Sequence, residues 1–100
     1  MKLFMTTSLV KQMLVSSSLG LENGYGVWCP GCETLHAIGN QHSFNGNFQS
    51  PTFNPSILSL HGKSRCHSFI KDGFWEFLSD CDHELAGQMV PMVPVPVDAH

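Results

Sequence analysis

The dipeptide Asp72-Gly73 limits what this chain can fold into more than any other stretch of it. It stands between SRCHSFIK and FWEFLS, runs rich in Phe, Ile and Trp, and two such runs joined by Asp-Gly make a tight antiparallel hairpin. A turn at these residues pairs Lys71 with Phe74. Counting outward sets Ser68 opposite Phe77, His67 opposite Leu78 and Cys66 opposite Ser79. Side chains alternate along a strand, so Cys66, Ser68 and Ile70 share one face with Trp75, Phe77 and Ser79. Arg65, His67 and Phe69 share the other with Phe74, Glu76 and Leu78. Polar and sulphur chemistry therefore collects at the open end of the hairpin.

Past that end, Ser79-Asp80-Cys81-Asp82 precedes HELA and Gly87, which reads as a capped helical turn stopped by glycine. His83 then falls in the first turn, where the positive end of the helix dipole favours the neutral imidazole. A neutral imidazole serves as a base or as a metal ligand.

One hundred residues is a single-domain length, and 42% apolar content supports a modest core that a staple would reinforce. A formal charge of −3 leaves no basic footprint, so no nucleic-acid partner is expected. MKLFMTTSLVKQMLV is too interrupted by Thr6, Thr7, Ser8 and Lys11 for a signal-peptide core, and no apolar run reaches membrane-spanning length. The reading is a soluble, cytoplasmic chain with no membrane partner. In a reducing cytosol, four cysteines that include a CxxC pair are better used on a metal than in disulfides.

Leu9, Val10, Met13 and Leu14 recur at helical spacing, so a short helix is expected over 3–15 within a weakly structured segment 1–22. A flexible connection follows, then a short strand Tyr25 to Trp28 that delivers Cys29. Cys29-Pro30-Gly31-Cys32 is the most specific motif: its proline and glycine fold the backbone back so that both thiolates reach one tetrahedral ion. A thioredoxin-like site would need a helix from the second cysteine, and Gly39-Asn40 leaves no room for one. Gly39 to Asn54 is a polar loop region with Phe44, Phe48 and Phe53 as satellite core. Ser56 to Leu60 is a strand joining the hairpin in a three-stranded meander. Ser56, just after Pro55, is a strand-start serine that either is solvated or points into a site. The tail from Met89, with prolines at 91, 94 and 96, is an extended edge segment ending in a frayed Asp98 to His100.

The preferred zinc ligands are Cys29, Cys32, His36 and Cys66, with His36 delivered by a returning strand from Leu35 to Ile38. Cys81 competes for one of these places, and His67 or His83 is an alternative to His36. Cys66 and His67 are adjacent on a strand and cannot both face one ion. That leaves His67, Ser68, Asp80 and His83 near one end of the sheet. A serine becomes a nucleophile when a histidine takes its proton and a carboxylate holds that histidine. Here Ser68 is the candidate nucleophile, His83 or His67 the base and Asp80 the orienting group. The opposing reading makes Ser68 a buried strand hydroxyl, Asp80 an N-cap and His83 a partly buried helix residue.

The strings WCPGCETLH, PTFNPSIL and RCHSFIKDGFWEFLSDCDHELAGQMV resemble a small domain family carried by phages and bacteria. Members in phage genomes are often labelled ammonia monooxygenase. The resemblance runs from about Trp28 to Val90. Bacterial members, called BubE, sit in operons for ubiquitin-like conjugation and are regarded as peptidases that trim or remove the modifier. The resemblance implies a zinc-containing, hydrolase-like domain; if the chain is phage-encoded, the cytoplasm expected above is that of the host. Its motif positions fall on Cys29, Cys32, His36, Cys66, His67, Ser68, Asp80 and His83.

Together these readings predict a single α+β, mainly β domain: a zinc-ribbon-like knuckle, an antiparallel meander and one short helix. The leading function is a zinc-stabilised peptidase or isopeptidase acting on a protein or peptide. The alternatives are a non-enzymatic zinc module that binds a protein partner, and a hydrolase whose metal activates a bound water. The proline-studded edge also suits a homodimer.

Overall fold

The computed structural model describes residues 8–17, 20–61 and 64–96. They form β1 (Lys11–Ser17), β2 (Gly20–Cys29), β3 (Thr34–Ile38), β4 (Ser43–Phe44), β5 (Phe53–His61), β6 (Ser64–Lys71), β7 (Phe74–Phe77) and β8 (Met89–Pro91). These strands make two antiparallel sheets, one ordered β1-β2-β3 and the other β4-β5-β6-β7-β8. Residues 1–7 and 97–100 lie outside the described residues, and with them part of the expected helix and the expected frayed end.

The fold is all-β among the described residues, which corrects the expected α+β class: neither predicted helix is formed. In the first case the helical spacing of a few apolar residues loses to pairing with β2, from Lys11 opposite Gly26 to Ser16 opposite Leu21. Burial follows the strand period: Val15 is buried between exposed Leu14 and Ser16. In the second case, the chain leaving β7 must return to it as β8, with Met89 opposite Glu76. Its backbone donors serve that return. Ala86 N–H reaches His83 O at 3.2 Å and Gln88 N–H reaches Leu85 O at 3.0 Å, both tight turns, while Gly87 N–H goes back to Phe77 O at 3.0 Å. No ladder of helical bonds is left to build.

The Asp72-Gly73 turn pairs Lys71 with Phe74 and Ser68 with Phe77, the register that the turn residues predict. Asp72 and Gly73 both have positive φ, 51° and 81°, as a type I′ turn requires. Cys66, Ser68, Ile70, Trp75 and Phe77 are buried along one face, as alternation demands. The pairing stops at Phe77, so Cys66 does not meet Ser79. The meander itself extends to five strands, with β8 on the edge where Pro91 needs no partner for an N–H.

One apolar cluster takes residues from both sheets, among them Val27, Cys29 and Ile38 from the first and Phe53, Ile70 and Trp75 from the second. The tail stitches them together: Val93 bridges Trp28, and Val95 N–H donates to Ser8 O at 2.9 Å. Phe44 and Phe53 stack at 4.7 Å with Tyr25 tilted against both, so these phenylalanines do serve as core.

Candidate active site and thiol cluster

Cys29 ends β2, and the next residues fold back at once: Glu33, in the left-handed region at φ 55°, donates its N–H to Cys29 O at 2.8 Å. Cys32 N–H points at the Cys29 sulphur at 3.3 Å. The returning strand β3 sets His36 opposite Val27, on the buried face that Cys29 shares. β6 brings Cys66 from the other sheet. The ligand atoms of Cys29, Cys32, His36 and Cys66 all lie within 4.8 Å of one another and could hold a metal ion.

The chemistry of these donors fits a tetrahedral cation. The Cys29 and Cys66 sulphurs are 3.7 Å apart, close to the ~3.8 Å edge of a tetrahedron with ~2.3 Å metal–sulphur bonds. The hydrogen bond with Cys66 lowers the Cys29 pKa to about 3; burial opposes this, and His36 and the Cys32 N–H add to the lowering. Cys66 is pushed far up because it donates to Cys29, and burial adds to the rise. Burial and then the Cys29 charge raise Cys32 to about 11. Thiols this close share one negative charge, and only a cation between them would let all ionise.

The opposite face of the sheet carries different chemistry. The ladder between β5 and β6 shifts register between Phe53 and Ile57, an irregularity of the kind that re-aims side chains beside sites. Beyond it Leu58 pairs with His67, and Ser56 stands on the same outward face. Ser56 Oγ lies 3.0 Å from His67 Nε2, and His67 Nδ1 lies 3.3 Å from Asp80 Oδ2. A carboxylate only accepts, so Nδ1 carries the proton and Nε2 is left to accept from the Ser56 hydroxyl. Partial desolvation opposes ionisation of Asp80, but the His67 hydrogen bond, its own backbone N–H and Arg65 together hold its carboxyl below the ordinary value. Arg65 Nη1 is 3.5 Å from the same oxygen. The His42 ring contacts Ser56 O at 3.0 Å, giving the serine backbone a further hold.

The other sequence-predicted residues are placed elsewhere. Ser68 is 1% exposed, between Ile57 and Phe77, and its Oγ has no hydrogen-bond partner among the described residues. It meets neither His67 nor His83. The Cys81 thiol donates to His67 O at 3.0 Å and accepts from His67 N–H at 3.2 Å. His83 Nδ1 accepts the Leu85 N–H at 3.2 Å, which leaves the proton on Nε2, 3.5 Å from the Cys66 sulphur. His83 is thus placed as a donor to a cluster thiolate, an outer-shell role for any bound metal. Its ring packs so closely on the Cys29-Cys32 knuckle that a Cβ at Gly31 would collide with it. Cys66, Cys81 and His83 form a second grouping within 4.8 Å. Ser56, which the sequence left between a solvated residue and one pointing into a site, is the serine whose hydroxyl lies beside His67.

A hydroxyl, an imidazole and a carboxylate joined in that order on one face of an all-β domain is the side-chain arrangement of a serine hydrolase. The chain belongs to the BubE family, described as the bacterial ubiquitination-like system serine protease, whose profile matches residues 4–78. The match takes in Ser56, His67 and the four clustered ligands, while Asp80, Cys81 and His83 lie beyond it. It begins well before Trp28, so β1 and β2 fall within the family region. No curated protein and no solved structure matches the chain.

Proposed function

We propose that this chain is a serine peptidase that cuts after a ubiquitin-like modifier, releasing a C-terminal extension or a conjugated protein. Ser56 is the nucleophile, His67 the general base and Asp80 the group that orients it. The reading is carried by the unbroken series Ser56 Oγ, His67 Nε2, His67 Nδ1, Asp80 Oδ2, with contacts of 3.0 and 3.3 Å. The choice of substrate rests on the family's description.

Ser56 Oγ attacks the carbonyl carbon while its proton passes to His67 Nε2. His67 then returns that proton to the leaving amine as the C–N bond breaks, and an acyl-enzyme remains on Ser56. Water attacks the ester, again giving a proton to His67, which restores it to Ser56 as the carboxylate product leaves. Asp80 keeps Nδ1 protonated and stabilises the imidazolium formed at each step.

Zinc is the metal we assign to Cys29, Cys32, His36 and Cys66, where it would cross-link β2, the knuckle, β3 and β6. Four protein ligands close a tetrahedral shell, which favours a structural site over one that activates water. Ser68 and His83 then have packing and outer-shell roles.

A fusion of a ubiquitin-like modifier to a short C-terminal peptide tests the assignment. Wild-type protein and Ser68→Ala are expected to release the peptide and Ser56→Ala is not. Release by Ser56→Ala at the wild-type rate would remove this reading. Stable capture of the fusion with no cleavage by wild-type protein would favour a binding module.

A further inference from the structure

We propose that Cys81 is a positioning residue of the triad, whose thiol stands in for a missing strand neighbour and holds His67 and Asp80 in register. The proposal rests on the assignment of Ser56, His67 and Asp80 given above.

β7 stops pairing with β6 at Phe77 opposite Ser68. One residue further along β6, on the same edge, Leu78 N–H still meets His67 O at 2.9 Å, but the His67 N–H, which a longer β7 would have met with a carbonyl, needs another partner. The Cys81 thiol meets both, donating to His67 O at 3.0 Å and accepting from His67 N–H at 3.2 Å. A thiol has one donor and an acceptor sulphur, so it can close both contacts with one atom. At His67 O the thiol shares the acceptor with Leu78, whereas at His67 N–H it is the partner that stands where a strand carbonyl would.

The same pattern recurs one step out. Arg65 N–H donates to Asp82 Oδ2 at 2.7 Å, and Asp82 N–H donates to Arg65 O at 2.9 Å. The turn is therefore moored to β6 directly after Asp80, by Cys81 at His67 and by Asp82 at Arg65. Asp80 itself is 42% exposed at its side chain, and Arg65 is more exposed still, so little packing fixes the carboxylate. Cys81 is 8% exposed and sits in the core cluster, which makes it the rigid anchor of the pair. Its sulphur fixes the turn to the backbone of the histidine that the next residue back must orient.

The test uses the full chain with Cys81→Ala, with Cys81→Val, which fills much of the thiol's volume without its hydrogen bonds, and with Cys81→Ser, which keeps a donor and an acceptor. Three quantities are read: kcat and KM on the modifier fusion, bound metal per chain, and hydrogen exchange of the His67 amide. Cys81→Ala and Cys81→Val are expected to lower kcat about 10- to 100-fold with KM within about twofold. Metal content is unchanged, His67 amide protection is lost, and Cys81→Ser recovers most of both kcat and protection. Should the alanine variant fail to fold, the valine variant carries the comparison. Wild-type kcat with an intact His67 amide overturns the proposal, and so does loss of metal in step with activity, which would make Cys81 a ligand. Ser56→Ala is run alongside. Full activity there removes the triad assignment, whereas His67 amide exchange still decides whether Cys81 holds the strand.

Discussion

Cys66 and His67 are neighbours on β6, and the pleat sends them to opposite faces of one sheet. Cys66 is 1% exposed and meets Cys29 at 3.7 Å, while the His67 side chain is 29% exposed and meets Ser56 at 3.0 Å. The inner group is sulphur-rich, dry and drawn from both sheets. The outer group is made of oxygen and nitrogen atoms, comes from β5, β6 and the turn after β7, and under the proposed function would meet a substrate. A single strand thus separates the chemistry that holds the shape from the chemistry that would break a bond. Damage on the inner face should remove both stability and activity; damage on the outer face should remove activity alone.

The largest effect belongs to the inner face. Cys66→Ser should abolish metal binding, and because metal-linked folding energies run on the order of 10 kcal/mol, cooperative thermal unfolding should vanish with it. Retained metal and a sharp melting transition in this variant would break the division between the faces. Next comes Ser56→Ala, which should lower kcat at least about 10⁴-fold while metal content and melting temperature stay as in the wild type. Trp75→Ala, removing a buried ring stacked on Phe77 at 5.2 Å, should cost about 3–5 kcal/mol in denaturant unfolding. Its kcat should survive at temperatures where the chain remains folded. The smallest effect is that of Ser68→Ala: stability should move by less than about 1 kcal/mol, because the lost hydroxyl is buried with no hydrogen-bond partner among the described residues, and turnover should stay within about twofold.

Much of this division was legible from local chemistry. Asp72-Gly73 carries its turn type in its residues, and the register from Lys71 to Ser68 and the buried face follow by counting. Cys29-Pro30-Gly31-Cys32 likewise carries its own fold, and its meeting with His36 and Cys66 needs only a returning strand and the hairpin face. The Ser56–His67–Asp80 series was harder because Ser56 and His67 belong to different strands. The signal was there: the register that pairs His61 with Ser64 sets Leu58 opposite His67. Ser56 shares the parity of Leu58 and so faces the histidine. Ser68 drew attention instead because it sits one residue from His67 in the chain, although alternation turns it inward. The helix expected near His83 failed for a related reason. HELA favours a helix locally, but the backbone donors there are claimed by β7 and by tight turns, which no window of that length reveals. Cys81 was read as a rival ligand because the end of β7 at Phe77, which leaves the His67 N–H for the thiol, is visible only in three dimensions.

The most direct measurement is covalent labelling with a fluorophosphonate, followed by peptide mass mapping of the adduct. If Ser56 is the nucleophile activated by His67, one label per chain falls on the peptide containing Ser56, and Asp80→Asn slows its appearance sharply. A label on Ser68, or no label on metal-loaded, folded protein that still cleaves the fusion, would contradict it.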